Sequence, residues 1–518
     1  MLSRAQQLHN RHRHFIRGLI RFLTYLSAFF LAASAYWIGD NFGEPSLEQI
    51  FYHAQFGLDG LVDTDAAIIK SFLAWCIALP VSAAMLLVLV EYSIALFLIH
   101  GSAHWLTRPA RSANIHFLKV IYWFIGHRAP LYTLLTAGLY FGVQFSISVF
   151  IHHLFGKDYF AEHYLAPAQV KLVKPIKPKN LVFIYVESLE DSYKDTHLFG
   201  KNLLAPLDQL KGTSFVSYKT APGSWWTIAG ITATQCAVPL KSVSLYDGND
   251  QGEKIKSFLP NAVCLGDVLH DAGYYSVYLG GDALAFAGKG MFFRDHHYDE
   301  VLGKDELKGN LSDADMNFWG LYDDDLLSIF KDKLVELHAK QQPFNLTITT
   351  IDTHGPDGHF SNYCKERGIK DFEGIVECTA QQVADIVAFI TKNGYLKDTN
   401  IVILGDHLAM ENPVSNKLDQ IKERHIFNRF ISEETIHKNR EAILPFDLFP
   451  TVLDFIGFKV EGGKLGLGYS AIAKNINLPP ETEYEEMNRD LLNKSNKYLD
   501  LWKPKVLPVL VVENAPTH

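Results

Sequence analysis

Three long uncharged apolar runs within the first 151 residues constrain the fold more than any other feature of the chain. They are Phe22–Gly39, Ser71–Val90 and Ala129–Ile151. A helix needs about 20 apolar residues to cross a bilayer. Three such runs so close together argue against buried helices of a soluble protein, and the first run lacks the cleavage site of a signal peptide. We therefore predict that residues 1–155 form a membrane domain of about three spanning helices, with an interfacial helix at His116–Gly126.

The charges of the connecting loops predict the orientation of this domain, because short loops rich in Lys and Arg stay in the cytoplasm. The loop Asp40–Lys70 is acidic and should lie outside. Three crossings from a cytoplasmic N-terminus place the chain after Leu154 outside the cytoplasm, and a fourth crossing at His116–Gly126 would reverse this. The basic residues expected inside are Arg4, Arg11, Arg13, Arg17, Arg21, Arg108, Arg111, Lys119 and Arg128.

The cysteines agree with an oxidising compartment. Cys76 lies within the second apolar run, and four cysteines remain for the rest of the chain. An even number outside the membrane suits two disulfides, although the sequence alone does not choose among the three pairings. There is no CxxC pattern, so a zinc–cysteine site is not expected. The four are Cys236, Cys264, Cys364 and Cys378.

Composition divides the remainder of the chain and excludes one class of partner. The formal net charge of -9 argues against a nucleic-acid binder. The Pro/Lys-rich stretch Ala166–Asn180 indicates a linker, which we place at 156–179. A folded domain is predicted at 180–475, followed by a tail at 476–518 whose role the sequence leaves open.

Short, continuously apolar runs predict strands that are buried on both faces. Helical patterns separate these runs, and this alternation is typical of an α/β domain with a largely parallel sheet. The predicted strands are Leu181–Val186, Tyr274–Leu279, Phe344–Ile351 and Ile401–Leu404, and the predicted helices are Ala262–Ala272, Asp323–Lys340 and Thr379–Asn393.

Three of these strands are followed directly by residues that can bind a metal. Glu187 follows the first strand, Asp352 and His354 follow the third, and Asp406-His407 follow the fourth. Taken singly, each of these residues could equally be a turn residue or a helix cap without a role in metal binding. Ligand sites of open α/β sheets lie at the carboxyl ends of the strands, so together they predict one site. Oxygen and nitrogen donors of this kind suit Zn²⁺ or Mn²⁺.

The stretch PGSWWTIAG, from Pro222, predicts a loop that enters a helix. A hydroxyl at that point would face free backbone N–H groups and the positive end of the helix dipole, which suits a phosphate group. Metal coordination can activate a threonine that is otherwise a poor nucleophile. From the residues alone, Ser224 rivals Thr227 as that nucleophile.

With these residues in view, the chain resembles the alkaline phosphatase/sulfatase superfamily from about Asn180 to Ile472. Within it, the chain is most similar to the membrane-bound phosphoglycerol transferases that modify osmoregulated periplasmic glucans, which are related to lipoteichoic acid synthase and the lipid A phosphoethanolamine transferases. One departure is Gly355, where relatives tend to have histidine (DTHHPDG). The motifs are NLVFIYVESLE, PG-x3-TIAG-x4-QC-x-VPL, LGDVLHDAGY, FAGKGMFFRDH, FWGLYDDDLL, DTHGPDG, GDHLAM and LGLGYSAI.

The resemblance implies a role for each site residue. Thr227 becomes both metal ligand and nucleophile, and His354 becomes the histidine on the substrate side. Arg294 is implied as a substrate contact. Trp225 and Trp226 depart from the family pattern, in which smaller or polar residues are common at these positions; Trp226 is a candidate to stack on a sugar ring of the substrate, although a place in the core is favoured for both tryptophans. The implied metal ligands are Glu187, Thr227, Asp406 and His407, and the implied disulfides are Cys236–Cys264 and Cys364–Cys378.

The activity implied is a double displacement that uses one divalent metal, Mn²⁺ or Zn²⁺ with Mg²⁺ as an option. Phosphoglycerol would pass from phosphatidylglycerol in the membrane to a glucan or another envelope polysaccharide. The expected location is the bacterial inner membrane, with the catalytic domain in the periplasm. The same chemistry with phosphoethanolamine and lipid A is the main alternative. A sulfatase is disfavoured because CAVP at Cys236 does not fit C/S-x-P-x-R, and a dead binding protein is disfavoured because all the site residues are present.

Overall fold

The computed structural model describes residues 4–42, 47, 66–105, 128–145, 147, 155–241, 256–309, 311–312, 315–474, 476–504 and 512–514. They divide into two compact units, one formed by the described residues up to 147 and the other by those from 155 onward. The predicted interfacial helix His116–Gly126 and most of the acidic loop Asp40–Lys70 lie outside the described residues.

The first unit is helical. Two stretches, Phe15–Asn41 and Ile69–Ile94, are long and apolar enough to cross a membrane. The third predicted span begins as a helix of 16 residues, and most of the rest of that span lies outside the described residues, so a third crossing stays a prediction. The helices are α1 (Arg4–Phe42), α2 (Ala66–Phe72), α3 (Leu79–Trp105) and α4 (Ala129–Gln144), with a π-helical segment, Leu73–Ala78, between α2 and α3.

Polar contacts fix α1 and α3 as an antiparallel pair. Nη2 of Arg21 lies 2.7 Å from Oε1 of Glu91, and Nε1 of Trp37 donates to Oγ of Ser71 at 2.9 Å. Increasing residue numbers in α1 therefore lie beside decreasing residue numbers in the segment formed by α2 and α3, as expected of antiparallel helices. The ion pair also gives the charges of Arg21 and Glu91 a partner, and unpaired charges are costly in an apolar environment.

The second unit is built on a six-stranded sheet in the order β5-β4-β6-β2-β7-β8. All neighbouring strands are parallel except β7 and β8, which are antiparallel. The predicted α/β class with a mostly parallel sheet is confirmed. The strands are β1 (Leu172–Lys174), β2 (Asn180–Val186), β3 (Ser217–Tyr218), β4 (Tyr275–Gly280), β5 (Glu300–Leu302), β6 (Phe344–Thr349), β7 (Thr399–Gly405), β8 (Asn428–Ile431), β9 (Ala442–Ile443), β10 (Lys459–Val460), β11 (Lys464–Leu465), β12 (Gly468–Tyr469) and β13 (Val512–Asn514).

The central strand β2 is buried on both faces, which explains its unbroken apolar run. Phe183 and Tyr185 enter one core, and Val182 and Ile184 enter the other. Side chains alternate along a strand, so one strand supplies both cores. The helices of this unit are α5 (Tyr159–His163), α6 (Thr196–Phe199), α7 (Ala205–Asp208), α8 (Thr227–Cys236), α9 (Leu265–Asp271), α10 (Lys289–Asp295), α11 (Lys304–Leu307), α12 (Asp323–Ala339), α13 (Asn362–Glu366), α14 (Phe372–Lys392), α15 (Ser415–Leu418), α16 (Leu448–Phe455), α17 (Glu481–Asp490) and α18 (Asn496–Leu499).

The helix predicted at Thr379–Asn393 starts two turns earlier in the structure, because Asp371 caps α14. The Asp371 side chain accepts a hydrogen bond from the backbone N–H of Gly374 at 2.8 Å, which satisfies one of the free N–H groups of the first turn. The predicted helix Ala262–Ala272 is shorter than expected, since α9 begins only after Cys264.

The segments predicted as linker and tail belong to the folded unit. Phe160 and Tyr498 are buried in the same core, with ring centroids 5.4 Å apart. Strand β1 lies between β10 and β13. The described part of the predicted tail therefore packs in the same unit as the segment predicted as a linker.

Both implied disulfides are present. Cys236–Cys264 joins the end of α8 to the residue before α9. Cys364–Cys378 joins α13 to α14. Cys76 is a free, buried cysteine in the first unit.

Candidate metal centre and nucleophile

The carboxyl ends of β2 and β7 bring three predicted ligands together. Val186 pairs with Gly405 in the parallel register, so Glu187 and Asp406 leave the sheet side by side. The ligand atoms of Glu187, Asp406 and His407 all lie within 4.8 Å of one another, and all three residues are buried.

Short hydrogen bonds position both carboxylates. The hydroxyl of Ser188 donates to Oε1 of Glu187 at 2.7 Å, and the backbone N–H of Ser188 donates to Oδ1 of Asp406 at 2.8 Å. Ser188 has a φ of 55°, a left-handed conformation that non-glycine residues seldom adopt. Backbone strain of this kind concentrates at functional sites.

His407 directs one ring nitrogen at the carboxylates. Its Nδ1 lies 2.7 Å from the carbonyl oxygen of Leu408, which fixes Nδ1 as the donor. Nε2 then carries the lone pair and lies 3.5 Å from Oε1 of Glu187 and 3.4 Å from Oδ2 of Asp406. A backbone carbonyl commonly orients a metal-binding histidine in this way.

Thr227 is the first residue of α8, and its hydroxyl joins the cluster. Oγ1 lies 3.4 Å from Oε2 of Glu187 and 3.5 Å from Nε2 of His407. Among the described residues, no side chain caps the N–H groups of the first turn of α8 through the N-cap position. The rival nucleophile Ser224 is fully buried and donates to the carbonyl oxygen of Ala221 at 2.7 Å, so its hydroxyl is engaged in a turn.

The charged residues of the cluster shift one another's pKa values. Burial, together with the charge of Glu187, raises the pKa of Asp406 to about 7. Burial also opposes ionisation of Glu187, but His354 and His407 overcome it and lower the pKa of that carboxyl. Burial opposes the charging of His407, and the two carboxylates reverse this and raise its pKa.

The residues present fit a divalent cation. Oδ2 of Asp406 is buried and accepts no hydrogen bond from the described part of the chain. Two carboxylates, one imidazole and one hydroxyl form a donor set that suits Zn²⁺ or Mn²⁺. A second group of possible ligands, Cys236, Cys264 and His296, differs because both of its sulfur atoms are joined in a disulfide.

His354 follows β6 on the other side of β2. Its Nδ1 lies 2.7 Å from the carbonyl oxygen of Gly355, and its ring centroid is 4.6 Å from that of Trp319. Among the described residues, none forms a hydrogen bond with Nε2 of this ring. A Cβ on Gly355 would lie 2.4 Å from the carbonyl oxygen of Glu411, which explains why a histidine does not stand there.

The two implied substrate contacts differ in exposure. Arg294 is exposed on α10, whereas Trp226 is only 5% exposed and packs in the core. Its neighbour Trp225 is 36% exposed. Because Trp226 has an extended backbone, with φ of -144° and ψ of 163°, Trp225 and Thr227 project to the same side of the chain.

Sequence reasoning missed one buried cation near the site, Lys289. Its Nζ lies 2.5 Å from Oδ2 of Asp282. Burial disfavours its charge, but Asp282 overcomes this and holds the pKa of the ammonium above its usual value, and Glu187 acts in the same direction. The available signal was a lysine between two glycines in the motif FAGKGMFFRDH.

The fold and site define an α/β protein with a candidate metal centre beside a helix-terminal hydroxyl, and comparison with known proteins identifies its family. The model of the family Sulfatase matches residues 179–458, which is more than half of the chain. The chain belongs to the sulfatase family.

Among curated proteins, the chain is 34% identical over 368 residues to Phosphoglycerol transferase I of Escherichia coli strain SMS-3-5, covering 68% of this chain and 45% of that protein. The protein of the same name from strain O157:H7 EC4115 has the same identity and coverage. The chain therefore spans less than half the length of these relatives.

Similar solved structures include a lipoteichoic acid synthase and a lipooligosaccharide phosphoethanolamine transferase. The lipoteichoic acid synthase LtaP of Listeria monocytogenes is 14% identical, with 66% of this chain and 94% of that chain covered and a TM-score of 0.46. The lipooligosaccharide phosphoethanolamine transferase A of Neisseria meningitidis is 13% identical, with 90% and 86% covered and a TM-score of 0.46.

Proposed function

We propose that this protein is a membrane-anchored transferase that moves phosphoglycerol from phosphatidylglycerol to a periplasmic glucan through a phosphothreonine intermediate. The observation that carries the proposal is the position of Oγ1 of Thr227, 3.4 Å from Glu187 and 3.5 Å from His407, at the start of a helix. The identity to proteins named phosphoglycerol transferase supports the choice of phosphoglycerol as the transferred group.

Glu187, Thr227, Asp406 and His407 would hold the divalent cation. When bound, such an ion lowers the pKa of a coordinated hydroxyl and neutralises charge on a phosphate group. The N–H groups at the start of α8 would donate hydrogen bonds to the phosphate oxygens, and the helix dipole favours the negative charge of these oxygens.

In the first half-reaction, Oγ1 of Thr227 attacks the phosphorus atom of the lipid. The bond between phosphorus and the diacylglycerol oxygen breaks, and glycerophosphate remains on the threonine as a diester. The threonine gives up its proton to water as the new bond forms. His354, held through Nδ1 by Gly355, presents Nε2 to protonate the leaving oxygen.

In the second half-reaction, an acceptor hydroxyl attacks the same phosphorus atom and Thr227 leaves. His354 then takes the proton of the acceptor hydroxyl, which replaces the proton that it gave to diacylglycerol, and Thr227 takes up a proton from water. We assign Trp225, rather than the buried Trp226, as the aromatic side chain that meets an acceptor sugar, because an exposed indole face suits the apolar face of a hexose.

The membrane segment fits this reaction because the donor is a lipid. We infer that the spanning helices belong to a multi-pass protein of the bacterial inner membrane, whose catalytic unit faces the periplasm. The two disulfides agree with an oxidising compartment. Attachment to the membrane keeps the site near the donor and raises its effective concentration.

Intact-protein mass spectrometry tests the proposal directly. The full chain is incubated with phosphatidylglycerol and Mn²⁺ or Zn²⁺, and we expect a glycerophosphate adduct that Thr227→Ala abolishes. Thr227→Ser, which keeps a hydroxyl, should retain a slower adduct. Thr232→Ala is the matched control on the same helix, because the Thr232 hydroxyl donates only to the carbonyl oxygen of Ile228.

The pattern of adducts separates the alternatives. An adduct with phosphatidylethanolamine and none with phosphatidylglycerol would keep the mechanism and move the protein to the phosphoethanolamine transferases. Release of glycerophosphate to water, with none transferred to a glucan, would indicate a hydrolase. Absence of any adduct in a metal-loaded sample would reject the nucleophile and the transferase together.

A further inference from the structure

An ion pair between a partly exposed arginine, Arg424, and a buried carboxylate, Glu190, joins the two loops that carry the candidate metal ligands. Glu190 is fully buried, three residues after Glu187. Nε of Arg424 donates to its Oε1 at 2.9 Å, and Nη2 of Arg424 donates to Oε2. This two-point contact fixes the orientation of the carboxylate as well as its charge.

The same ion pair holds the backbone of the loop after β7. The N–H of Ala409 donates to Oε2 of Glu190 at 3.0 Å, and Nη2 of Arg424 donates to the carbonyl oxygen of Ala409 at 2.9 Å. Both backbone groups of a residue two positions after His407 are therefore held by one charged pair.

Backbone hydrogen bonds make this link continuous. The N–H of Asp191 donates to the carbonyl oxygen of His425 at 2.8 Å, and the N–H of Phe427 donates to that of Leu189 at 3.0 Å. Phe427 in turn accepts from the N–H of Gly405 at 2.9 Å. The segment after Arg424 thus lies between the loop that carries Glu187 and the loop that carries Asp406 and His407.

We infer that the Glu190–Arg424 pair is a positioning device that presets the spacing of the metal ligands before any metal binds. None of its atoms belongs to the ligand cluster, so it acts through the backbone of residues 187–190 and 405–409. Loss of a partner that orients a metal ligand usually costs about 10- to 100-fold in metal affinity. The inference concerns metal binding and holds whichever phospholipid is the donor.

The test measures metal affinity and amide exchange in the full-length protein. Titration calorimetry of the metal-free protein with Zn²⁺ and Mn²⁺ should give a dissociation constant about 10- to 100-fold higher for Arg424→Lys, which keeps the charge but loses the two-point contact. Glu190→Gln should have a similar or larger effect. Hydrogen exchange of the metal-free protein should become faster at the His407 and Ala409 amides in both variants.

Arg429→Lys is the matched control, because Arg429 also binds backbone carbonyls and a carboxylate, those of Leu207 and Asp208, away from the ligand loops. It should leave metal affinity and exchange at 405–409 unchanged. If a variant of the pair unfolds at a lower temperature but keeps wild-type metal affinity and wild-type amide exchange in this loop, then the pair contributes only to general stability and the inference is wrong. If Glu190→Gln does not fold, Arg424→Lys decides alone. If the wild type binds no metal, the proposed function fails, and amide exchange still tests the link.

Discussion

Gly230, three residues after Thr227, gives the sharpest prediction. Gly230 lies in α8, and a Cβ added there would be 2.1 Å from the carbonyl oxygen of Asp406, whereas such contacts essentially never fall below 3.0 Å. The carbonyl oxygen belongs to the backbone and the position of the Cβ is fixed by the backbone, so no side-chain rotation can relieve the clash. Gly230→Ala must therefore move α8 and the Asp406 loop apart by about 1 Å.

This movement separates the hydroxyl of Thr227, the proposed nucleophile, from Asp406 and His407. Thr227 is carried by α8, and Asp406 and His407 are carried by the loop. A misplacement of about 1 Å can cost about 100-fold in rate, which corresponds to about 2.7 kcal/mol of transition-state stabilisation. Overpacking costs about 1–3 kcal/mol of folding stability, and the better helix propensity of alanine returns about 1 kcal/mol. We therefore expect a folded protein with a large loss of activity.

The assay compares initial rates of diacylglycerol release and bound metal for wild type, Gly230→Ala and Gly138→Ala. Gly138 is also helical, and nothing lies within 4 Å of a Cβ placed there, so this control should stay within about twofold of the wild type. A Gly230→Ala protein with near-wild-type rate, metal content and melting temperature would refute the argument that contact between these backbones sets the site.

Three further predictions concern other parts of the second unit. Burial lowers the pKa of Lys241 from 10.5 to about 7. Between these two pH values the unfolded chain binds one more proton than the folded chain, so the free energy of unfolding should rise with pH, by up to about 5 kcal/mol. Lys241→Met should remove this rise in urea titrations at pH 7 and pH 10, and an equal rise in the variant would contradict the assignment. Trp225→Ala should raise the KM for a glucan acceptor severalfold and leave threonine adduct formation unchanged; slower adduct formation would instead place the indole against the lipid. Replacing Cys364 and Cys378 by alanine removes a disulfide with a sequence separation of 14, and the free energy of unfolding measured with denaturant should fall by about 3 kcal/mol. A loss below about 1 kcal/mol would show that α13 and α14 hold this loop without the disulfide.

Local patterns predicted much of the fold. Continuous apolar runs mark strands buried on both faces, so β2, β4, β6 and β7 were predictable within a residue or two at most ends. The rule that ligands gather at the carboxyl ends of parallel strands predicted one site from Glu187, Asp352, His354, Asp406 and His407. The structure brings the ligand atoms of Glu187, Asp406 and His407 together. The resemblance supplied Thr227 and both disulfide pairings, which spacing alone left open.

What the sequence determined by itself is local: which segments are apolar enough to span a membrane or to form buried strands, and which chemistry follows each strand. Only the tertiary structure decided which of two adjacent tryptophans is buried, because that depends on which side of an extended backbone meets the core. It also decided that Glu190 and Arg424, 234 positions apart, form one ion pair. Contacts between distant segments follow from the order of strands in the sheet, and that order is fixed by packing of the whole domain rather than by any local pattern.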